Sequence, residues 1–125
     1  MLFNIRDFWT LDLKTNAWTE IRASGDCPSA RSGHRMVVWR NYLVLFGGFY
    51  EAMREVRWYN DLFLFSFQEQ RWTQVSYRPN SQVPKPRSGV QMCVHTLEDM
   101  IYIYGGYSKE KVPGQKKEGK IHEDM

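Results

Sequence analysis

Two short stretches of the chain, residues 43–46 and 100–104, are apolar without interruption and are bounded by turn residues. Both are rich in β-branched or aromatic side chains, and such runs are typical of β-strands that are covered on both faces. Another apolar stretch precedes each of them, at residues 36–39 and 92–95, across a short polar turn. The pattern therefore predicts two pairs of antiparallel strands rather than helices.

A third type of strand is predicted at residues 8–13 and 62–67, and a fourth around Trp18 and Trp72, after a short polar turn in each case. Four short antiparallel strands in a unit of roughly 55 to 65 residues form one blade of a β-propeller. We label the strands of a blade a to d in chain order. The residues up to Trp18 then supply strands c and d, and residues 100–104 supply a strand b.

The chain repeats itself at nearly constant intervals. Three landmarks recur after 54, 56 and 58 residues: Trp18 as Trp72, Arg31 as Arg87, and Gly48 as Gly106. On the same register, Asp124 answers Asp61 after 63 residues. A period of tens of residues is the signature of a repeat architecture, in which no unit buries its apolar surface alone. We therefore predict an all-β fold, an incomplete β-propeller of four-stranded antiparallel blades.

The repeat divides the chain into three parts. Residues 1–27 hold strands c and d of a first blade, and residues 28–83 hold a complete blade. Residues 84–125 hold strands a and b of a third blade, followed by a lysine-rich connection between b and c. Propellers have about four to eight blades, so we expect this chain to be a piece of a longer protein. The remaining blades of that protein would then be its partners. Expressed alone, the chain is expected to associate or misfold; a sharp two-state melt from a monodisperse monomer would contradict this.

The chain resembles the kelch repeat, in which an apolar strand ends in Gly-Gly, an acidic-aromatic strand follows, and a Trp lies in the fourth strand. It is most similar to the kelch domain-containing protein 4 family through residues 7–18, 31–34, 45–49 and 103–109. One departure is that Leu11 and Phe65 replace the tyrosine usual seven residues before the Trp. The resemblance implies a β-propeller used mainly for contact with other proteins.

The positive charge of the chain is confined to one segment. The whole net charge of +3 comes from residues 109–120, which hold five lysines and two glutamates. A nucleic-acid-binding domain is basic across a face, so nucleic acid is not the expected partner. We interpret the segment as a mobile, solvated insertion; the alternative is an electrostatic handle for an acidic partner.

The cysteine content and the hydropathy indicate a soluble protein of a reducing compartment. Cys27 and Cys93 lie at non-equivalent points of the repeat, outside any C-x-x-C motif, so a cytoplasmic or nuclear location is favoured. Charged residues occupy the part of the N-terminus where a signal peptide needs its apolar core. The longest strongly apolar run, Tyr42–Phe46, is too short to span a bilayer, so no membrane association is expected.

Several residues recur at equivalent positions and are therefore interpreted as structural. The glycine pairs follow strands with no helix or Gly-Lys-Ser/Thr after them, which favours tight turning or close backbone approach over phosphate binding. The tryptophans are expected to pack within blades rather than to stack on a ligand, and the arginines to brace loop carbonyls between blades. These residues are Gly47, Gly48, Gly105, Gly106, Trp18, Trp72, Arg31 and Arg87.

Residues that differ between the two copies are the candidates for specificity. The long connections, residues 49–60 and 107–123, are expected to share one face with the loop 76–86, and rigid scaffolds place recognition on such loops. The first connection is rich in arginine and aromatic residues, a composition typical of interface hot spots. The candidate partner-binding residues are Tyr50, Arg54, Arg57 and Trp58. The alternative is a solvated loop in which Trp58 covers its own blade.

Catalytic chemistry is not indicated. His34, His95 and His122 lack the spacing of metal ligands, and no carboxylate or thiolate set accompanies them. We therefore predict no cofactor, and a non-catalytic scaffold that binds a protein partner through the b–c and d–a loops. The alternative is part of a propeller enzyme, such as a galactose-oxidase-like copper oxidase or a metal-dependent lyase, which metal analysis of the full-length protein would detect.

Overall fold

The computed structural model describes residues 6–110, 114 and 118–125, and its regular elements are β-strands. Three lysines of the lysine-rich segment, Lys111, Lys116 and Lys117, lie outside the described residues. The strands are β1 (Trp9–Asp12), β2 (Ala17–Glu20), β3 (Ser24–Gly25), β4 (Arg35–Trp39), β5 (Tyr42–Phe46), β6 (Phe49–Ala52), β7 (Glu55–Trp58), β8 (Leu62–Ser66), β9 (Arg71–Gln74), β10 (Gln91–His95), β11 (Met100–Tyr104), β12 (Tyr107–Glu110) and β13 (Glu118–Ile121).

The centre of the molecule is one five-stranded sheet in the order β3-β9-β8-β5-β4. Strands β4, β5, β8 and β9 run antiparallel and correspond to strands a, b, c and d of the complete blade. The sheet confirms the predicted all-β fold of antiparallel blades. Two-stranded sheets lie on either side of it: β1–β2 supplies strands c and d of the first blade, and β10–β11 supplies strands a and b of the third.

The strand β3 lies outside the predicted blade boundary at residue 28. Ser24 and Gly25 follow the first blade in sequence, yet they pair in parallel with Arg71 and Trp72 of β9. Gly25 has a φ of +81°, and a Cβ there would lie 2.2 Å from the carbonyl oxygen of Trp72. The complete blade therefore includes a fifth strand, held by backbone groups that leave no hydrophobic pattern in the sequence.

Aromatic packing joins the first half-blade to the complete blade. Phe8 lies edge-on to Phe65, with 4.9 Å between ring centroids, and at 5.6 Å from Trp72. Ile21, from the same half-blade, also packs against this buried cluster, which includes Leu45. The half-blade therefore shares one apolar core with the complete blade, as the repeat predicts.

The third blade contacts the complete blade through polar groups of the innermost strands. Arg35 donates from Nε to the carbonyl of Val90 at 2.8 Å. At the far end of the strands, Trp39 donates to the Asp99 carboxylate at 3.1 Å, and Arg40 forms an ion pair with the same carboxylate. Val90 itself is buried. Neighbouring a strands are thus tied together at both ends.

Burial differs between equivalent strands, and this corrects two expectations. Residues 43–46 of β5 are covered on both faces as predicted, whereas β11 is covered on one face only and exposes Met100, Tyr102 and Tyr104. Likewise the side chain of Trp72 is 5% exposed and that of Trp18 is 65% exposed. The reason is the same in both cases: among the described residues, no further blade lies against these outer faces.

The connections between strands b and c are β-hairpins rather than loops. Residues 49–58 fold back on themselves as β6 and β7 around Met53 and Arg54, and β12 pairs with β13 in the next copy. Isolated bridges, Ser32 with Phe49 and Ser88 with Tyr107, attach the base of each hairpin to the segment before strand a. Each hairpin is therefore anchored to its own blade.

Candidate interaction surface

A buried arginine contacts the residues that flank the first hairpin, β6–β7. Arg31 donates from Nη1 to the Asp61 carboxylate at 2.5 Å and to the Gly47 carbonyl at 3.0 Å. Its Nε reaches the carbonyl of Ser29 at 3.1 Å, and its guanidinium lies 3.9 Å from the ring centroid of Tyr59. The side chain thus connects the start of strand a, the end of strand b and the start of strand c.

Arg87 makes the corresponding hydrogen bonds one blade later. Its Nη1 donates to Asp124 at 2.6 Å and to the Gly105 carbonyl at 3.1 Å, and its Nε donates to the Lys85 carbonyl at 2.9 Å. Asp124 therefore has the place of Asp61, as the register of the repeat indicates. The hydrogen bond from Arg87 lowers the pKa of Asp124 to about 2.

The two carboxylates differ in their surroundings. The Asp61 side chain is 19% exposed, whereas that of Asp124 is 64% exposed. Both arginines are buried. We define each set of arginine, aspartate and glycine carbonyl as a clasp; the first clasp is enclosed, and the second is open to solvent at its carboxylate.

The glycine pairs allow backbone segments to approach closely. A Cβ on Gly48, which has a φ of +101°, would lie 2.8 Å from the Ser32 carbonyl oxygen, and Gly106 has the same relation to Ser88. The amide of Gly48 donates to the Arg87 carbonyl at 2.9 Å, which joins the complete blade to the third. The contacts at these glycines are with the protein's own backbone.

The four candidate partner-binding residues do not share one face of the first hairpin. Cross-strand partners point to the same side of a sheet, and Tyr50 is opposite Arg57, while Phe49 is opposite Trp58. Trp58 stacks on Phe49 at 5.1 Å and lies edge-on to Tyr107 of the next hairpin at 5.6 Å. Trp58 is thus half-buried between the two hairpins, in contact with both.

The exposed candidates lie on the other face and at the tip. Arg54 is exposed in the turn beside Met53, and Arg57 forms an ion pair with Glu55 on the hairpin itself. Tyr50 is half-buried. The structure therefore brings Tyr50 and Arg57 together, with Arg54 close by along the chain, and separates them from Trp58.

Two residues that sequence reasoning did not single out join the d–a loop to the b–c hairpin. The Tyr77 hydroxyl donates to the Asn60 carbonyl at 2.6 Å, and the Asn60 side chain donates to the Pro84 carbonyl at 3.0 Å. Burial, with a smaller effect from Asp61, raises the pKa of Tyr77 to about 12. The recurring pattern could not reveal these residues, because neither is repeated: the equivalent of Asn60 is Glu123, and that of Tyr77 is Ala23.

A cavity of about 300 Å³ lies between the first half-blade and the complete blade. Phe8, Arg22, Arg31 and His34 are among the residues that line it. The Nδ1 atom of His34 is buried there and has no hydrogen-bond partner in the described part of the chain. Burial, together with the nearby charge of Arg31, lowers the pKa of His34.

The three histidines lie in three different environments. His95 lies 3.9 Å from the Glu98 carboxylate on an exposed turn, and buried His122 hydrogen-bonds Ser108 at 2.8 Å. Within residues 6–110, 114 and 118–125, no three His, Cys, Asp or Glu side chains are grouped so that they could hold a metal ion. Nor does any described segment form a helix with the length and apolarity of a membrane span.

Comparison with known proteins matches residues 3–122 to the model of the KLHDC2/KLHL20/DRC7 Kelch-repeats domain. Acyl-CoA-binding domain-containing protein 4 of Arabidopsis thaliana is 34% identical over 84% of the chain, which covers 15% of that protein. Tip elongation aberrant protein 1 of Schizosaccharomyces pombe is 28% identical over 80% of the chain and 8% of its own length. The chain thus spans less than a sixth of these relatives, and the match over nearly all of its residues shows that it belongs to the kelch-repeat family.

Proposed function

We propose that this chain is a non-catalytic kelch propeller segment that binds a protein partner through the first hairpin and the adjacent d–a loop. Kelch-repeat domains are typically interaction modules, which supports a protein partner in general. The observation that carries the proposal is the hairpin β6–β7, whose base is fixed by aromatic packing while its tip is exposed.

The fixed base lowers the entropic cost of binding. Trp58 is held between Phe49 and Tyr107, so the hairpin has little freedom to lose when a partner docks. A pre-ordered element presents its side chains at a smaller cost than a mobile loop does. We assign Trp58 to support of the surface and Tyr50, Arg54 and Arg57 to contact with the partner.

The composition of the exposed face suits a protein surface with acidic groups. Arginine and tyrosine are enriched in interface hot spots, and an arginine fork binds carboxylates in a bidentate manner. Arg57 already pairs with Glu55, an exposed pair of small net energy that a partner carboxylate can replace. Arg54 lies in the turn, where it is free of strand pairing.

The experiment places a photo-crosslinking amino acid at Met53 in the full-length protein, with Leu97 as the matched position. Both side chains are about equally exposed, at 90% and 92%, but they lie at opposite ends of the strands. We expect a defined protein cross-link from position 53 that is absent from position 97. Combined Arg54→Ala and Arg57→Ala substitutions should reduce it at least tenfold, whereas Arg71→Ala should not. Equal cross-linking from both positions would contradict the proposal.

Two further assignments accompany this function. We propose a cytoplasmic or nuclear location, since Cys27 and Cys93 are both free thiols. We also propose that the parent protein is related to kelch domain-containing protein 4, on the motifs given above. The proposed location would be contradicted if imaging found the tagged full-length protein in a secretory compartment. The proposed non-catalytic role would be contradicted if the full-length protein contained stoichiometric copper or iron.

A further inference from the structure

The outer edge of strand β7 carries backbone groups that have no partner among the described residues. Across the first hairpin, Phe49 is opposite Trp58. The amide and carbonyl of Phe49 bond to Ser32 instead of to β7. Phe49 and Trp58 are therefore a non-hydrogen-bonded pair, so the amide and carbonyl of Trp58 point away from β6. Because the ladder alternates, those of Val56 point the same way, and no described group bonds to them.

This edge belongs to the part of the hairpin that projects from the molecule. The side chain of Met53 in the turn is 90% exposed, and Arg54, Glu55 and Arg57 are exposed as well. An open edge is a template for pairing with another strand, and charged side chains on it repel strands that do not match them. Charge therefore decides which strand can pair with β7.

The side chains of β7 define the strand that fits. Glu55 and Arg57 lie on one face of the hairpin and Val56 on the other, because successive residues of a strand alternate. An added antiparallel strand is favoured when it places an acidic residue opposite Arg57, an apolar residue opposite Val56 and a basic residue opposite Glu55. Read from its N-terminus, such a strand is acidic, apolar and basic.

Strand β7 itself has this pattern, as Glu55, Val56 and Arg57. We infer that β7 of one copy pairs antiparallel with β7 of a second copy of this protein, about a two-fold axis at Val56. The two Val56 residues then exchange both of their backbone hydrogen bonds, and Glu55 of each copy lies opposite Arg57 of the other. Both copies use the same surface, so the contact closes as a dimer.

The charges also exclude the neighbouring register. A two-fold axis at Arg57 would pair Val56 of each copy with Trp58 of the other, which satisfies more of the outward backbone groups. It would also place the two Arg57 side chains directly opposite each other, and like charges at such positions destabilise a strand pair. With the axis at Val56, the four charges alternate in sign, since Glu55 and Arg57 already form an ion pair within each copy.

The second hairpin has similar charges but a poorer edge. Glu118 and Lys120 of β13 are the charged residues at the equivalent positions. The residue between them is Gly119, and the Tyr107 side chain occupies the space that a Cβ there would take. β13 thus has no apolar side chain at the position where two copies would meet. Its two charged residues are therefore a matched control.

Charge reversal in the purified full-length protein tests the inference. Sedimentation equilibrium from about 10 to 500 μM should show a monomer–dimer equilibrium for the unmodified protein, because so short a contact is weak. Glu55→Arg and Arg57→Glu each place like charges opposite one another on both sides of the axis. Each variant alone should therefore self-associate about tenfold more weakly, or weaker still.

Mixing the two variants gives the decisive measurement. One variant has two positive charges on β7 and the other has two negative charges, so a 1:1 mixture should recover the dimer that neither forms alone. The matched reversals Glu118→Arg and Lys120→Glu should leave self-association unchanged.

A proline at the axis tests the backbone pairing separately. The amide of Val56 points away from β6, so Val56→Pro removes the central donor of the dimer without removing a hydrogen bond of the hairpin. This variant should also weaken self-association about tenfold or more. Circular dichroism checks that every variant is folded, and Val56→Pro decides the outcome if a charge variant is not.

Four results would overturn the inference: an unmodified protein that is monomeric over the whole concentration range, unchanged self-association in either β7 charge variant, a mixture that stays monomeric, or an equal loss from the β13 reversals. The purified protein contains no other partner, so this outcome is independent of the proposed function. Pairing at the edge also leaves uncovered the face of the hairpin that holds Tyr50 and Arg57.

Discussion

The complete blade and the half-blades carry the same motifs but bury them to different extents. Trp72 is enclosed by a neighbouring blade, whereas Trp18, at the equivalent position, faces solvent. Arg31 and Arg87 are both buried, yet the carboxylate of the second clasp is open and that of the first is not. A kelch motif thus specifies which groups contact one another within a blade, whereas the neighbouring blades determine how much those contacts contribute to stability.

The largest expected effect comes from the tryptophans. At a protein concentration at which the 125-residue chain is monomeric, Trp72→Ala should lower the free energy of unfolding by about 3 to 5 kcal/mol because it leaves a cavity in the aromatic cluster. Trp18→Ala should lower it by about 0.5 kcal/mol or less, since the side chain is exposed. Urea unfolding measures both. Equal losses would show that the half-blade packs more tightly in solution than this structure describes.

The second largest expected difference is in the free energy of unfolding lost when each clasp is broken. Asp61→Ala removes the partner of a buried guanidinium in an enclosed site and should cost about 3 kcal/mol. Asp124→Ala removes an exposed carboxylate, which water replaces, and should cost about 1 kcal/mol or less. Urea unfolding of both variants under the same conditions gives the comparison, with Asp26→Ala as a control. A loss at Asp124 as large as that at Asp61 would contradict it.

The smallest effect is a pH dependence of the second clasp. Because Arg87 lowers the pKa of Asp124 to about 2 in the folded chain, the stabilisation is fully present above the ordinary value of 3.8 and is lost as the pH falls toward 2. An NMR titration of the Asp124 carboxyl carbon should give the low value, and Arg87→Met should raise it toward 3.8. An unshifted titration in the unmodified chain would show that the open clasp does not form in solution.

The strand pairs of the blade were predictable because packing against neighbours demands continuous apolar runs, as at residues 43–46. The repeat also revealed Asp124 as the equivalent of Asp61, since the same contact to arginine is needed twice. The hairpin β6–β7 was not predicted, because its alternation lasts only a few residues and includes charges on both strands.

Which hairpin residues share a face could not be predicted, because that depends on register, and a shift of one residue reverses it. The sequence grouped Trp58 with Arg54 and Arg57 by composition alone, whereas the pairing of Phe49 with Trp58 turns it toward Tyr107. The roles of Tyr50, Arg54 and Arg57 in partner contact stay predictions until the cross-linking experiment is done.

The short parallel strand at Ser24 and Gly25 has a consequence for any attempt to rearrange this architecture. Ser24 and Gly25 follow the first blade in sequence but pair with the sheet of the complete blade, so the sequence repeat and the hydrogen-bonded sheet have different boundaries. A repeat excised or transplanted at residue 28 would leave its outermost backbone groups behind. Modules taken from this protein should instead begin before Ala23.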